Sequence, residues 1–198
     1  MFKTNLFCLF TMVTAACGGD DGGTPDDNEV ITTVALELTP VGGTVTTFEF
    51  DDADGPGGSA PVIDPITLAP GNYTLGVRFI NRLEDPPEEI TDEVNDENDQ
   101  HQLFFTGTAV DGPASNHPGA PLAQAYSDTD VNGIPVGLAN AIVATAGTGT
   151  LTVTLRHMPP INGTAVKVPN LADMVKSAGI DSIGGSTDAS VSFMVTVQ

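Results

Sequence analysis

The chain has 198 residues, and its 26 aspartates and glutamates against six lysines and arginines give a formal net charge of −20 at pH 7. So acidic a surface repels phosphate backbones and anionic membrane surfaces, which excludes nucleic-acid binding. It suits divalent cations, cationic partners or plain solubility.

The opening stretch, MFKTNLFCLFTMVTAAC, reads as a secretory signal over residues 1–16, with Lys3 ahead of an apolar run from Leu6 to Val13 that is too short to span a bilayer. Ala15 and Ala16 stand directly before Cys17, and in this the segment resembles a bacterial lipoprotein signal, in which such a cysteine is lipidated and becomes the new N-terminus. A plain signal peptide with an incidental cysteine is the alternative. With Cys8 removed and Cys17 lipidated no thiol remains, so no disulfide forms and the fold rests on its core. Loss of Lys3 brings the formal charge to −21. Residues 17–29 include GGDDGGTPDDNE, a flexible acidic tether of roughly 20 Å root-mean-square length. Acids so close to the cysteine resemble the surface-export signal of Bacteroidota lipoproteins, which favours the cell surface over the periplasmic face of the outer membrane.

From residue 30 to 198 the dominant pattern has period two. Val34, Leu36 and Leu38 share one face, as do Phe48 and Phe50, and likewise Tyr73, Leu75, Val77 and Phe79. Later, Leu151, Val153, Leu155 and His157 alternate with Thr152, Thr154 and Arg156, and Val191, Phe193, Val195 and Val197 close the series. Turn formers such as Pro40–Gly43, Asp54–Gly58 and Asn162–Gly163 separate the runs. The pattern predicts an all-β fold: one antiparallel, immunoglobulin-like β-sandwich of about seven to nine strands, with a closed barrel as the alternative. The segment NLADMVKSAG predicts a helix with Leu171, Met174 and Val175 on one face, Asn170 at its start and Gly179 at its end.

One segment breaks the rhythm. Residues 84–99 carry nine acids in sixteen positions before His101 opens HQLFF. Asp85 followed by PPEE predicts a helix start, with Ile90 and Val94 as an anchor row on the sandwich. Acids four apart, Glu89 with Glu93 and Asp92 with Asp96, repel unless a cation or basic surface neutralises them. A solvated loop that discourages edge pairing is the alternative.

Two constellations are candidates for metal chemistry. In YSDTDVNGIPVGL, the alternate oxygens of Asp128, Asp130 and Asn132 precede Gly133 as at the start of a Ca²⁺ loop, although Ala139 stands where a complete loop has glutamate. A tight Asn-Gly turn is the other reading. His101 and His157 form the second constellation. If their strands are antiparallel neighbours, both imidazoles meet at one rim, where Asp99 or Glu97 could complete a Zn²⁺ or Cu²⁺ site. No nucleophile elbow, P-loop, H-E-x-x-H or dinucleotide fingerprint occurs, so no enzyme is expected.

The segments ITTVALELTPVGG, DQHQLFFTG, YSDTDVNGIPVGL and GTLTVTLRHMP together resemble a family of small Bacteroidota outer-membrane lipoproteins of unknown function. Its members often carry the label type 1 periplasmic binding fold superfamily protein. That label implies two α/β lobes, whereas the residues here imply stacked sheets. The resemblance implies a membrane-anchored binding or accessory module beside an outer-membrane receptor. A structural or adhesive surface protein without a small ligand is the alternative.

Overall fold

The computed structural model describes residues 29–55 and 57–198. The signal segment, Cys17 and the tether through residue 28 lie outside the described residues.

Two sheets pack face to face. The larger is eight-stranded, in the order β3 (Val62–Ile63), β2 (Thr46–Asp51), β1 (Thr33–Pro40), β5 (Gly71–Asn81), β10 (Ala139–Ala144), β9 (Leu122–Tyr126), β8 (Val110–Asp111), with β6 (Glu88–Glu89) added to β5. The smaller runs β4 (Ile66–Leu68), β12 (Ser186–Val197), β11 (Gly147–His157), β7 (His101–Thr106). Neither sheet closes on itself, so the architecture is a sandwich and not a barrel. Eight of the described strands have five or more residues, and six of these (β1, β2, β5, β7, β11 and β12) carry the alternating runs read from the sequence; β9 and β10 lie outside those runs, and the other four strands have two or three residues. The antiparallel expectation needs one correction, because β4 pairs parallel with β12 and β8 parallel with β9.

The apolar faces meet as expected. Val34, Leu36, Leu38, Leu75, Val77 and Phe79 of the larger sheet pack against Leu103, Phe105, Val153, Leu155, Phe193 and Val195 of the smaller. Burying these side chains is the main stabilising term. The outer face of the smaller sheet is not left to water. Helix α2 (Leu171–Ala178) lays Leu171 and Val175 over Phe104, beside Met158 and Ile183, in a second apolar cluster. Asn170 precedes α2 and Gly179 follows it with φ 85°, a conformation that glycine adopts without steric cost. Strand β7 is therefore covered on both faces, and His101 to Phe105 are all buried.

The acidic segment does contain a helix, α1 (Ile90–Asp96), and Ile90 and Val94 are its buried residues. Its start is later than the sequence suggests. Glu88 and Glu89 pair with Asn81 and Ile80 as β6, and Glu89, not Asp85, occupies the cap position. The reason is steric, since Asp85 and Pro86 each precede a proline and are pushed out of helical geometry. Arg78 draws Glu89 onto β5 through an ion pair, and the Thr91 hydroxyl accepts from the Phe79 amide at 2.8 Å. The excursion is thus stitched to the sheet edge.

A second departure concerns Arg156. Alternation puts it on the water side, yet it is only 8% exposed. Its guanidinium donates to the Thr187 hydroxyl at 2.7 Å and to the Gly184 carbonyl at 2.9 Å, under the loop that leads into β12.

Gly107 shows how tightly β7 joins this assembly. Its φ is 97°, and a Cβ there would stand 2.3 Å from the Thr150 carbonyl oxygen. At Gly119, φ is 86° but nothing lies within 4 Å of a Cβ. Gly119→Ala should cost only the left-handed backbone penalty of about 1–2 kcal/mol. Gly107→Ala should cost clearly more, because backbone must move as well, and chemical denaturation of both variants measures the difference.

Candidate metal centre

The centre begins with strand register. β7 and β11 are antiparallel, and the last pair of their ladder is His157 opposite His101. The imidazoles stack with centroids 4.5 Å apart and planes 10° apart. His101 is fully buried, whereas the His157 side chain keeps 20% exposure. Glu97, just past the end of α1, brings its carboxylate to 3.9 Å from His157 Nε2. Ligand atoms of Glu97, His101 and His157 all lie within 4.8 Å of one another. Asp99, the other acid considered beside Glu97, is not in this group.

Two further acids line the buried side. His101 Nε2 lies 3.7 Å from Asp188 Oδ2 and 3.9 Å from Glu29 Oε1, and these acid side chains are 1% and 11% exposed. Asp188 reaches this position through a β-bulge. The β11–β12 register steps from Leu155–Ala189 to Arg156–Thr187, so Asp188 has no partner across the ladder. A bulge re-aims the side chain of its extra residue and bends the strand. Glu29 is the last residue of the acidic tether as read from sequence, yet its carboxylate packs against the sandwich.

The electrostatics follow from burial. Removal from water pushes the Glu29 carboxyl up to about 7, reinforced by the charges of Glu93, Asp188, Glu97 and Glu88. Burial pushes Asp188 up to about 6, although His157 and Arg156 pull the other way. Burial also pushes His101 down to about 4, opposed by its hydrogen bond to the Glu97 carbonyl. A neutral imidazole with a free lone pair is a competent metal ligand.

The proposed calcium-loop residues lie elsewhere. Asp130 Oδ1 accepts from the Asn132 amide at 2.8 Å and the Ile134 amide at 2.9 Å, while Oδ2 faces Lys167 Nζ at 2.9 Å. Asp128 accepts from the Gly137 and Ala139 amides at 2.8 and 3.0 Å. Their oxygens pin a turn around Gly133, and a buried lysine already stands where a cation would neutralise Asp130. Lys167 donates its other bond to the Asn98 carbonyl at 2.7 Å, tying this turn to the segment before His101. The Asn132 side chain is exposed.

Sequence reasoning names His101, His157 and Glu97 but misses Asp188 and Glu29. An acid at the third position of STDASVSF, ahead of the closing alternation, is a weak local signal for Asp188. Nothing local separates Glu29 from the other tether acids. His117 lines a different feature, a groove of about 530 Å³ between α2 and the outer face of the smaller sheet, beside Thr152, Thr154 and Lys176. Comparison with protein-family models, curated proteins and solved structures returns no match.

Asp188→Asn tests the buried charge directly. The folded carboxyl titrates near 6 against an ordinary 3.8, so its penalty grows as pH rises through that window and is complete at pH 7. In chelator-treated protein, Asp188→Asn should therefore raise the unfolding free energy by about 2–3 kcal/mol at pH 7. The gain should vanish near pH 4, as read by urea denaturation across pH.

Proposed function

We propose that this chain is a non-enzymatic, lipid-anchored binding module of the outer membrane whose ligand is a divalent transition-metal cation. The observation that carries the reading is the convergence of Glu97, His101 and His157 at one end of the smaller sheet, with ligand atoms within 4.8 Å. Two imidazoles and a carboxylate suit Zn²⁺ or Cu²⁺, whereas Ca²⁺ calls for six to eight oxygens.

The stack dictates how loading proceeds. A metal binds in the plane of an imidazole, along the nitrogen lone pair, and parallel planes cannot both meet one ion. One ring must turn. His101 is held by burial and by its Nδ1 contact to the Glu97 carbonyl at 3.1 Å, so His157 is the ring that turns. A fixed ligand and a mobile one give a site that captures an ion from solvent and can release it.

The anchor reading is supported by Ala15-Ala16-Cys17 and the acidic tether after it. No described helix is long and apolar enough to cross a membrane. A formal charge of −20 for the whole chain concentrates cations near its surface, and a leash places the module beside a membrane receptor. Loss of palmitate labelling in Cys17→Ala, together with release from the membrane fraction, is the expected result for the anchor.

For the ligand, chelator-treated protein is melted with Zn²⁺ or Ca²⁺ at matched ionic strength. At a hundredfold excess over the dissociation constant, a specific site adds about 2.7 kcal/mol, or a melting shift of roughly 5–10 °C. The shift is expected with Zn²⁺, absent with Ca²⁺, and lost in His157→Ala, whose ring lies at the rim with 20% of its side chain exposed and can be removed without opening the core. No shift with either ion would overturn the metal reading and favour a structural or adhesive role, and equal shifts with both would overturn the transition-metal assignment.

A further inference from the structure

The geometry points to a deeper metal centre than the rim alone: Asp188 and Glu29 are ligands on its buried side, so the bound Zn²⁺-class ion ties the root of the tether to the sandwich. This rests on the metal reading above and extends it to two residues and to a mechanical role.

The argument starts from the tautomer of His101. Its Nδ1 lies 3.1 Å from the Glu97 carbonyl oxygen, which can only accept, so Nδ1 carries the hydrogen. Nε2 is left with a bare lone pair. A histidine whose far N–H is held by a backbone carbonyl has the arrangement that metal-ligating histidines adopt. That lone pair faces Asp188 Oδ2 at 3.7 Å and Glu29 Oε1 at 3.9 Å. Acceptors therefore point at acceptors. His101 Nε2, both Asp188 oxygens and Glu29 Oε2 are buried without a hydrogen-bond partner.

The chain itself supplies no proton donor that closes these gaps. A proton on either carboxyl would need an acceptor at about 2.5–3.0 Å, well short of the observed gaps. Lys167 is engaged by Asp130 and by the Asn98 carbonyl. Arg156 directs its terminal nitrogens to Thr187 and to the carbonyls of Ile183, Gly184 and Gly185, and its Nε, though buried without a partner, donates to neither Asp188 oxygen. An ion with metal–ligand bonds of about 2.0–2.2 Å bridges such gaps at an open angle. The bulge that turns Asp188 inward is a second, backbone-level observation, since bulges recur beside functional sites. Two carboxylates also balance a divalent charge, which an all-imidazole set would not.

The consequence is mechanical. Glu29 stands twelve residues after Cys17 and directly before the sandwich. An ion bound to it and to His101 fixes the point where the leash leaves the domain.

The test is Zn²⁺ titration of the purified full chain by competition with a chromophoric chelator, for the wild type, Asp188→Asn and Glu29→Gln. Circular dichroism confirms that each variant keeps its strands. The expected result is a single wild-type site weakened at least about tenfold in each variant. A second readout is limited proteolysis, in which Zn²⁺ slows cleavage near residue 29 in the wild type but not in Glu29→Gln. Wild-type binding with both variants within twofold would overturn this inference and leave the rim site standing. No wild-type binding would overturn both.

Discussion

The antiparallel register of β7 and β11 is the constraint on which the candidate centre depends. It sets His157 opposite His101, and it is itself set by the core. Leu103 and Phe105 on one strand and Val153 and Leu155 on the other must face the opposing sheet. Because side chains alternate with period two, a slip of one residue in either strand would turn its pair away from the opposing sheet. The imidazoles therefore inherit their positions from apolar burial. His101 lies at the end of the inward row of β7, where the last inward place is close enough to the rim for a polar side chain. Covering the outer face with α2 completes the enclosure, so His101 is held by packing on both sides of its strand.

Two buried polar clusters in this fold have been resolved differently. Around Asp130, each oxygen has a partner: two backbone amides on one and Lys167 on the other. That cluster acts as a fastener, and removing the lysine would strand a buried charge at a cost of about 3–5 kcal/mol. Around His101 the acceptors face one another with no donor between them. A buried polar atom without a partner costs about 1–3 kcal/mol, so such a group is retained only where something offsets it. A bulge in β12 and the packing of Glu29 against the sandwich both bring acids inward to this point. Independent elements converging on one lone pair are better explained by a shared ligand than by chance strain.

The sheets were readable because burial on one face prints a period of two directly into the chain, as in Tyr73 to Phe79 and Val191 to Val197. Ile90 and Val94 were readable for the same reason at helical spacing. The histidine pair was readable from parity plus a guess at strand adjacency. What escaped depends on irregular backbone or on chain segments far apart in sequence. Parity alone sends Asp188 to the water side, and only the bulge reverses that. Arg156 obeys alternation, and a loop folded over it makes it buried. A capping acid followed by prolines marks a helix start and also the extended pre-proline segment found here, so the sequence alone does not place the start of α1. The calcium-like spacing of Asp128 to Asn132 reflects a real demand for alternate oxygens, but backbone amides and Lys167 meet that demand.

The acidic excursion now has a physical account. Glu88 and Glu93 stand close enough to Glu29 to raise its proton affinity, as Glu97 does. Fields from exposed acids fade over a Debye length of about 8 Å in physiological salt, so distant charges add little and near ones dominate. Such a cluster draws in any small cation and cannot choose among them. Choice must come from groups whose geometry and softness differ between ions, and here those are the imidazoles. For the proposed metal ligand, attraction and selection would be separate: carboxylates on α1 and β6 would raise the local cation concentration, while His101 and His157 would set which ion stays. An ion held there would also offset the repulsion between the Glu29 and Asp188 charges, which would link occupancy of the centre to the stability of this end of the sandwich.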